Sequence, residues 1–223
     1  MIQEVFDFHK TEKLSWNDFI NSEENGDAIR CLMQWPRWDS NGIVIYGNAG
    51  VGKTHLANLW AQTAGAVYVI KQSLDHDPRT LFDADCNFII DNFENFLTEK
   101  NNPWIFHFFN IAAEKKRSFM LLSRSRPFAW QIELKDLRSR LLTLPAINIL
   151  DPQDELLFKI AKKLARDLEI TVGDDALKYL INVVDRSAPS VSAALRILDK
   201  MALQMRKNIT TSFVKRYIAG VTG

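Results

Sequence analysis

The sequence has few cysteines and no grouping of residues that suggests a structural metal. Only Cys31 and Cys86 are present among 223 residues, and the four histidines form no pair near either of them. Small extracellular domains depend on several disulfides, and zinc modules need closely spaced cysteine or histidine ligands. The absence of both patterns excludes a disulfide or zinc framework and favours a reducing cytoplasm.

Excess charge and long apolar runs are also missing. The 28 basic and 27 acidic residues give a formal net charge of +1, whereas domains that bind nucleic acid as their main ligand are usually more basic. No apolar run approaches the roughly 20 residues that a membrane-spanning helix needs, and the N-terminus lacks the basic and apolar regions of a signal peptide. We expect a cytoplasmic protein that does not contact a membrane.

A glycine-rich segment lies between a strand pattern and a helix pattern. Residues 43–46 are a short apolar run, and residues 53–64 carry apolar side chains at helical spacing. The segment comprises Gly47, Asn48, Ala49, Gly50, Val51, Gly52, Lys53 and Thr54. Glycines let backbone N–H groups surround a phosphate, the lysine reaches the β and γ phosphates, and the hydroxyl binds Mg²⁺. A simple glycine-rich turn is the alternative, but the flanking elements favour a nucleotide-binding P-loop.

Further apolar runs predict a parallel sheet. Three more strands are expected at residues 66–70, 86–91 and 119–123, and a helix is expected at 105–115. Buried runs that alternate with helices are typical of a parallel sheet covered by helices on its faces. The fold class is therefore α/β, with three layers in the main domain.

A carboxylate follows the third predicted strand. Asp91 is expected at its C-terminal end, where ligands bind in open α/β sheets, and it is the candidate for a second Mg²⁺ partner beside Thr54. The amide of Asn92 cannot serve as a general base, whereas Glu94 has a carboxylate that could orient water. An ordinary solvated acid is the alternative for Glu94.

The composition changes near residue 151. Asp151 and Pro152 suggest an N-cap and the first position of a helix. Helical patterns follow at 155–164, 176–184, 191–205 and 212–218. We expect three regions: an N-terminal segment at 1–12, a nucleotide-binding α/β domain at 13–150, and a small helical domain at 151–223.

These motifs resemble the DnaA and Hda branch of the AAA+ family over nearly the whole chain. His55 follows the P-loop as in that branch, and the segment containing Phe19 and Ile20 resembles the one that lies along the nucleotide base. The pair formed by Asp91 and Asn92 is similar to that of Hda. The resemblance implies an AAA+ domain with a helical lid, and ADP or ATP with Mg²⁺ as the bound cofactor.

The resemblance also assigns an arginine finger. Arg140 matches the arginine that AAA+ proteins insert into a neighbouring subunit's nucleotide site, although a solvated arginine is the alternative. Two family features are replaced here: Ser125 stands where the branch has an acid after a strand, and Pro189 stands where a lid arginine reaches the phosphates. We therefore expect weak ATPase activity in this chain itself. Arg186 and Arg196 are possible substitutes for the lid arginine, but each is more simply explained as a surface charge.

The N-terminus resembles a peptide that binds the sliding clamp of DNA polymerase III. Gln3 is followed by apolar anchors at Phe6 and Phe8, while Glu4 replaces the usual leucine. A glutamine amide bonds at the rim of an apolar pocket that aromatic anchors fill. A terminal strand packed on its own domain is the alternative.

Together these resemblances imply a negative regulator of replication initiation. Docked on the clamp, and so on DNA indirectly, it would stimulate hydrolysis of DnaA-bound ATP; fingers act between subunits, so self-assembly is also an expectation. No DNA-binding module is expected after the lid. A self-sufficient ATPase that loads or remodels a helicase is the alternative, and a small-molecule P-loop kinase is a weaker one.

Overall fold

A five-stranded parallel sheet forms the centre of the first part of the chain. The computed structural model describes residue 16 and residues 19–221. The strands are β1 (Gly42–Tyr46), β2 (Ala66–Tyr68), β3 (Asn87–Ile90), β4 (Phe119–Ser123) and β5 (Ala146–Asn148). Their order across the sheet is β2, β3, β4, β1, β5, and every neighbouring pair is parallel. The predicted α/β class is confirmed.

Four helices accompany this sheet. They are α1 (Gly26–Met33), α2 (Lys53–Ala64), α3 (Asn102–Glu114) and α4 (Lys135–Thr143). Short 3₁₀ turns occur at Lys71–Asp75, Pro78–Asp83, Phe93–Asn95 and Pro127–Ala129. The strand interiors and α3 supply a core rich in aromatic side chains, among them Phe88, Phe93, Phe108, Phe119 and Trp130. The sheet is therefore buried, as the continuous apolar runs predict.

Four helices form the C-terminal part. They are α5 (Asp154–Asp167), α6 (Asp174–Val183), α7 (Ala188–Met205) and α8 (Thr211–Val221). Their apolar faces make a separate core, which includes Leu157, Leu177, Leu195 and Val214. By contacts the chain divides into two compact units, one with residues up to Asn48 and Gly52–Ile149, the other with Ala49–Val51 and the residues from Leu150 onward. None of the helices in the described part of the chain combines the length and apolar character that crossing a membrane requires.

Several predicted boundaries differ from the structure. Strand β2 ends at Tyr68, two residues before its predicted end, because Ile70 leads into a 3₁₀ turn, although the N–H of Val69 still donates to Ile89 at 2.8 Å. The predicted N-cap at Asp151 is wrong. Helix α5 begins at Asp154, and Gln153 is its extended N-cap residue without a side-chain cap. The acids of the first turn, not a capping side chain, favour this helix start.

Candidate functional site

The P-loop residues connect β1 to α2 at the C-terminal edge of the sheet. The N–H of Gly47 donates to the carbonyl of Ser123 at the end of β4, 3.2 Å away, which joins the start of the loop to the neighbouring strand. Gly52 precedes α2 with φ of 105°, a backbone conformation that is strained for a residue with a Cβ. The loop therefore leads directly into the N-terminus of a 12-residue helix, whose free N–H groups and dipole favour an anion.

The lysine of the loop lies over the loop itself. Lys53 Nζ donates to the carbonyl oxygens of Gly47 at 2.7 Å and Asn48 at 2.8 Å. Burial lowers the pKa of Lys53, Asp91 and Glu94 oppose this change, and the positive charge of Arg124 adds to it. The ammonium is thus held beside the glycine-rich turn, where it would meet the oxygens of a bound phosphate.

The hydroxyl and carboxylate predicted to bind Mg²⁺ are brought together. Thr54 Oγ1 donates to Asp91 Oδ2 at 2.9 Å, and the other carboxylate oxygen accepts from the N–H of Asn92 at 2.7 Å. Mg²⁺ prefers hard oxygen ligands and usually keeps water or phosphate oxygens in its remaining positions. Thr54 and Asp91 fit such a partly filled site. Within the described ranges, no three histidine, cysteine, aspartate or glutamate side chains are grouped to hold a metal by themselves.

The segment after Asp91 places its two polar residues differently. Asn92 is exposed and has φ of 50°, in the left-handed region. Glu94 turns toward the end of β4, where its Oε1 accepts from the N–H of Arg124 at 2.9 Å. Its Oε2 is buried and makes no hydrogen bond to any described residue. Asn92 offers an amide, and the Glu94 carboxylate has one oxygen bonded to the Arg124 backbone and the other buried.

The segment expected beside the nucleotide base approaches the P-loop. The Phe19 ring lies 5.1 Å from the His55 ring, centroid to centroid, and 3.8 Å from the position that a Cβ on Gly52 would take. Ile20 is held by its carbonyl, which accepts from the buried side-chain amide of Asn25 at 3.0 Å. Phe19 and His55 are thus brought together with the glycine loop.

Two further groups at this edge were not predicted from the sequence. Tyr68, at the end of β2, donates its hydroxyl to Asn58 Oδ1 at 2.6 Å, and burial, followed by the charge of Asp91, raises its pKa. Arg124 follows β4, the strand between β1 and β3. The sequence assigned no role to either residue, although Arg124 lies directly before Ser125 in the segment that follows the fourth predicted strand.

Comparisons with known proteins identify similar sequences and similar folds. A family model described as "Hda, lid domain" matches residues 154–218. The chromosomal replication initiator DnaA of Thermosipho melanesiensis is 27% identical over 211 residues, which cover 83% of this chain and 45% of the initiator. The crystal structure of domain III of Thermotoga maritima DnaA has a TM-score of 0.74 at 18% identity and covers 90% of this chain and 93% of that one.

The chain is similar to DnaA proteins, and its C-terminal helices match the Hda lid domain.

It spans about half the length of the curated DnaA protein that it matches. A structure of AMPPCP-bound DnaA from Aquifex aeolicus has a TM-score of 0.66 at 18% identity, with 81% of this chain and 63% of that chain covered. The expected fold, an AAA+ α/β domain with a helical lid, is confirmed by these similarities.

The backbone that follows β4 is built around a buried serine. Ser123 Oγ accepts from Trp130 Nε1 at 3.1 Å and from the N–H of Ser125 at 3.2 Å, and it donates to the carbonyl of Ser125 at 2.8 Å. The side chain of Ser125, which replaces the family's acid, takes no part in these bonds. These hydrogen bonds of Ser123 fix the backbone at the end of β4.

The proposed finger is exposed on α4. The Arg140 guanidinium carbon lies 5.1 Å from the centre of the Phe106 ring, which belongs to α3. Phe106 is half-buried against the main core, so packing holds the ring in place beneath the arginine. This cation–π contact holds the charge at the surface, and no acid among the described residues pairs with it.

The start of α7 has the features that its sequence suggests. Ser187 caps the helix by accepting from the N–H of Ser190 at 3.2 Å, and Pro189 lies in the first turn. Arg186 pairs with Asp154 at 2.6 Å, while Arg196 is exposed on α7. The pairing of Arg186 weakens its case as a substitute for the lid arginine. The clamp-binding candidates Gln3, Phe6 and Phe8 lie outside the described residues.

Proposed function

We propose that this DnaA-related protein holds ADP or ATP, docks on the sliding clamp and presents Arg140 to ATP bound in DnaA. Hydrolysis of that ATP would lower initiator activity and so repress re-initiation of chromosome replication. The proposal has three parts, namely nucleotide binding, finger action and clamp docking. Each can fail separately.

Nucleotide binding is supported by the groups at the sheet edge. Lys53 lies over the glycine loop, and Thr54 and Asp91 form the oxygen pair that suits Mg²⁺. The similar DnaA from Aquifex aeolicus is an AMPPCP-bound protein, which favours an adenine nucleotide here. Phe19 and His55 would flank its base.

The observation that carries the finger proposal is that Arg140 is exposed and that its guanidinium lies over the Phe106 ring. A guanidinium inserted beside a γ-phosphate stabilises the charge that develops in phosphoryl transfer, and fingers supplied in trans change rates by about 10³–10⁵ in other systems. The hydrolytic groups of this chain are meanwhile altered, since Asn92 and Pro189 stand where an acid and an arginine are expected. The division of roles favours hydrolysis in a partner's site.

The test measures phosphate release from ATP-bound DnaA mixed with this protein and clamp-loaded DNA. We expect Arg140→Ala to abolish the stimulation. Arg138→Ala is the matched control, because Arg138 is an exposed arginine on the same helix and should be dispensable. Undiminished release with Arg140→Ala would remove the finger from the proposal.

Clamp docking is tested by binding measurements on the full chain. A peptide spanning residues 1–10 should compete with the protein for the clamp, and Gln3→Ala should weaken binding because the amide bonds at the rim of the pocket are lost. With Gln3→Ala, the stimulation of DnaA-bound ATP hydrolysis should then be the same with and without the clamp, or be lost altogether. Unchanged affinity after removal of residues 1–10 would refute the docking segment.

The hydrogen bond between Thr54 and Asp91 favours one alternative. Because this magnesium pair is intact, the chain could instead be a self-sufficient ATPase that loads or remodels a helicase. That function predicts steady-state turnover without DnaA, with a loss in Lys53→Ala and Asp91→Asn. If the wild-type protein without DnaA hydrolysed ATP no faster than Lys53→Ala does, this function would be excluded.

A further inference from the structure

The charges of this chain are segregated along the sequence. Residues 186–223 contain seven lysines and arginines and a single acid, Asp199, whereas residues 1–185 contain 21 basic and 26 acidic residues. The formal charges of the two parts are therefore +6 and −5, and they nearly cancel in the +1 of the whole chain. The small net charge thus conceals a strongly basic segment, which contains α7 and α8.

Helix α7 carries part of this charge on the face that is turned away from the core. Its buried side chains pack among the other C-terminal helices, and they are Val191, Ala194, Leu195, Leu198 and Ala202. Arg196 and Lys200 are exposed on the outer face and lie four positions apart, so they are neighbours on the helix surface. Arg206 and Lys207 are exposed directly after the last turn. These four cations, which we call the α7 basic surface, extend along about 14 Å of helix and the residues that follow it.

The α7 basic surface is not neutralised by acids. Among the described residues, none of its four cations makes an ion pair. On α5, by contrast, Lys159 is paired with Glu155 at 2.6 Å. The dipole of α7 favours cations within its last turn, which explains the two that follow the helix but not Arg196 and Lys200. The charge on the outer face therefore lacks a structural partner.

The apolar side chains of α7 argue against a lipid surface as that partner. A helix that lies in a membrane interface inserts a wide apolar face, and on α7 this face is already buried in the core. The exposed Ile197 and Leu203 are six positions apart, which places them about 120° apart around the helix with Arg196 and Lys200 between them. They form no apolar stripe of their own. A row of phosphates, which requires cations and little apolar area, fits this face better.

We propose that the α7 basic surface binds the phosphate backbone of double-stranded DNA without reading its sequence. Lysine and arginine side chains bind DNA in this way because each neutralised phosphate releases condensed counterions. In the proposed function, DNA is reached only through the clamp. The inference adds a direct contact from the C-terminal helices, and this contact requires neither a bound nucleotide nor Arg140.

The test measures binding of the full chain to a short fluorescein-labelled DNA duplex by fluorescence anisotropy, without clamp or DnaA, over a series of salt concentrations. If each of the four cations neutralises one phosphate, the logarithm of the binding constant should fall against the logarithm of salt concentration with a slope of about −3 to −4. Lys200→Glu combined with Lys207→Glu should reduce the magnitude of this slope by about two and weaken binding at low salt by about tenfold or more. Replacement of the same two lysines by arginine should retain binding, because the charge is kept.

The matched control is Lys115→Glu combined with Lys116→Glu. Both lysines are exposed after α3 in the sheet-containing unit, and the change in net charge is the same. Its duplex affinity and salt dependence should stay close to those of the wild type. Circular dichroism should show equal helix content in all variants, so that weaker binding is not a result of unfolding.

Three results would each overturn the inference: no duplex binding by the wild type at low salt, unchanged binding after the change of Lys200 and Lys207, or an equal loss in the control. Cosedimentation with phosphatidylglycerol vesicles in the absence of duplex binding would identify a lipid surface instead. Because the test contains no nucleotide, clamp or DnaA, its failure would leave the proposed function intact.

Discussion

Replacing Ser123 by alanine should destabilise the sheet-containing unit far more than a typical serine substitution. Ser123 is 1% exposed and its hydroxyl accepts from Trp130 Nε1, accepts from the Ser125 N–H and donates to the Ser125 carbonyl. Alanine fills almost the same space, so no cavity cost is expected. The loss is one of hydrogen bonds only.

The magnitude follows from those contacts. A buried donor left without a partner costs about 1–3 kcal/mol, and a net neutral hydrogen bond contributes about 1 kcal/mol. The indole N–H of Trp130 has no other acceptor among the described residues, and the bond to the Ser125 carbonyl is also lost. We expect the free energy of unfolding to fall by about 2–4 kcal/mol. Ser125→Ala is the matched control and should change it by less than about 0.5 kcal/mol, because only its backbone takes part.

Tryptophan fluorescence during urea unfolding isolates the relevant unit. All six tryptophans precede residue 131, so their emission reports on the sheet-containing unit and not on the C-terminal helices. The midpoint should fall with an unchanged slope if the native contacts alone are altered. If the free energy of unfolding of Ser123→Ala were within about 0.5 kcal/mol of the wild-type value, the stabilising role of the Ser123 hydrogen bonds would be refuted.

Two further predictions concern the finger and the loop. Phe106→Leu should keep the core filled but remove the ring face under Arg140, so stimulation of DnaA-bound ATP hydrolysis should fall about two- to fivefold, equivalent to about 0.5–1 kcal/mol. Phe106→Tyr should retain it, and equal rates for the two variants in a phosphate-release assay would contradict the cation–π role. Gly52→Ala should weaken nucleotide binding, because φ of 105° is strained with a Cβ. Gly65→Ala, with φ of 60° and open space around the added Cβ, should cost stability but leave affinity unchanged in calorimetry.

Most of the fold could be predicted from apolar runs because buried parallel strands carry a strong signal. Strand β4 and helix α2 have the predicted bounds. Strand β5 was missed since Ala146 and Asn148 are exposed, and only its central Ile147 is partly buried, so three residues at the sheet edge leave no apolar pattern. Helix α1 was also missed, although its buried residues follow helical spacing.

The candidate site was predictable where a motif fixes the spacing and was not where strand order decides proximity. Lys53 and Thr54 lie within one motif, and Asp91 could be placed by the rule that ligands bind at strand ends. Arg124 lies 71 positions after Lys53 in the sequence, and only the insertion of β4 between β1 and β3 brings it to the loop. The spacing of residues along the sequence does not show that β4 lies between β1 and β3.

The charges at the sheet edge favour holding a phosphate over activating water. Asp91 is occupied by the Thr54 hydroxyl and the Asn92 N–H, and Glu94 has one oxygen bonded to the Arg124 backbone and the other buried. A general base needs an oxygen within hydrogen-bond reach of the attacking water, whereas the oxygens of Asp91 and Oε1 of Glu94 already accept hydrogen bonds from protein groups. Two positive groups lie at this edge of the sheet. The ammonium of Lys53 lies over the loop, and the guanidinium of Arg124 makes no ion pair among the described residues. Because the Lys53 ammonium lies beside the phosphate loop while the carboxylate oxygens are directed toward protein donors, we expect this site to bind a nucleotide more readily than it hydrolyses one.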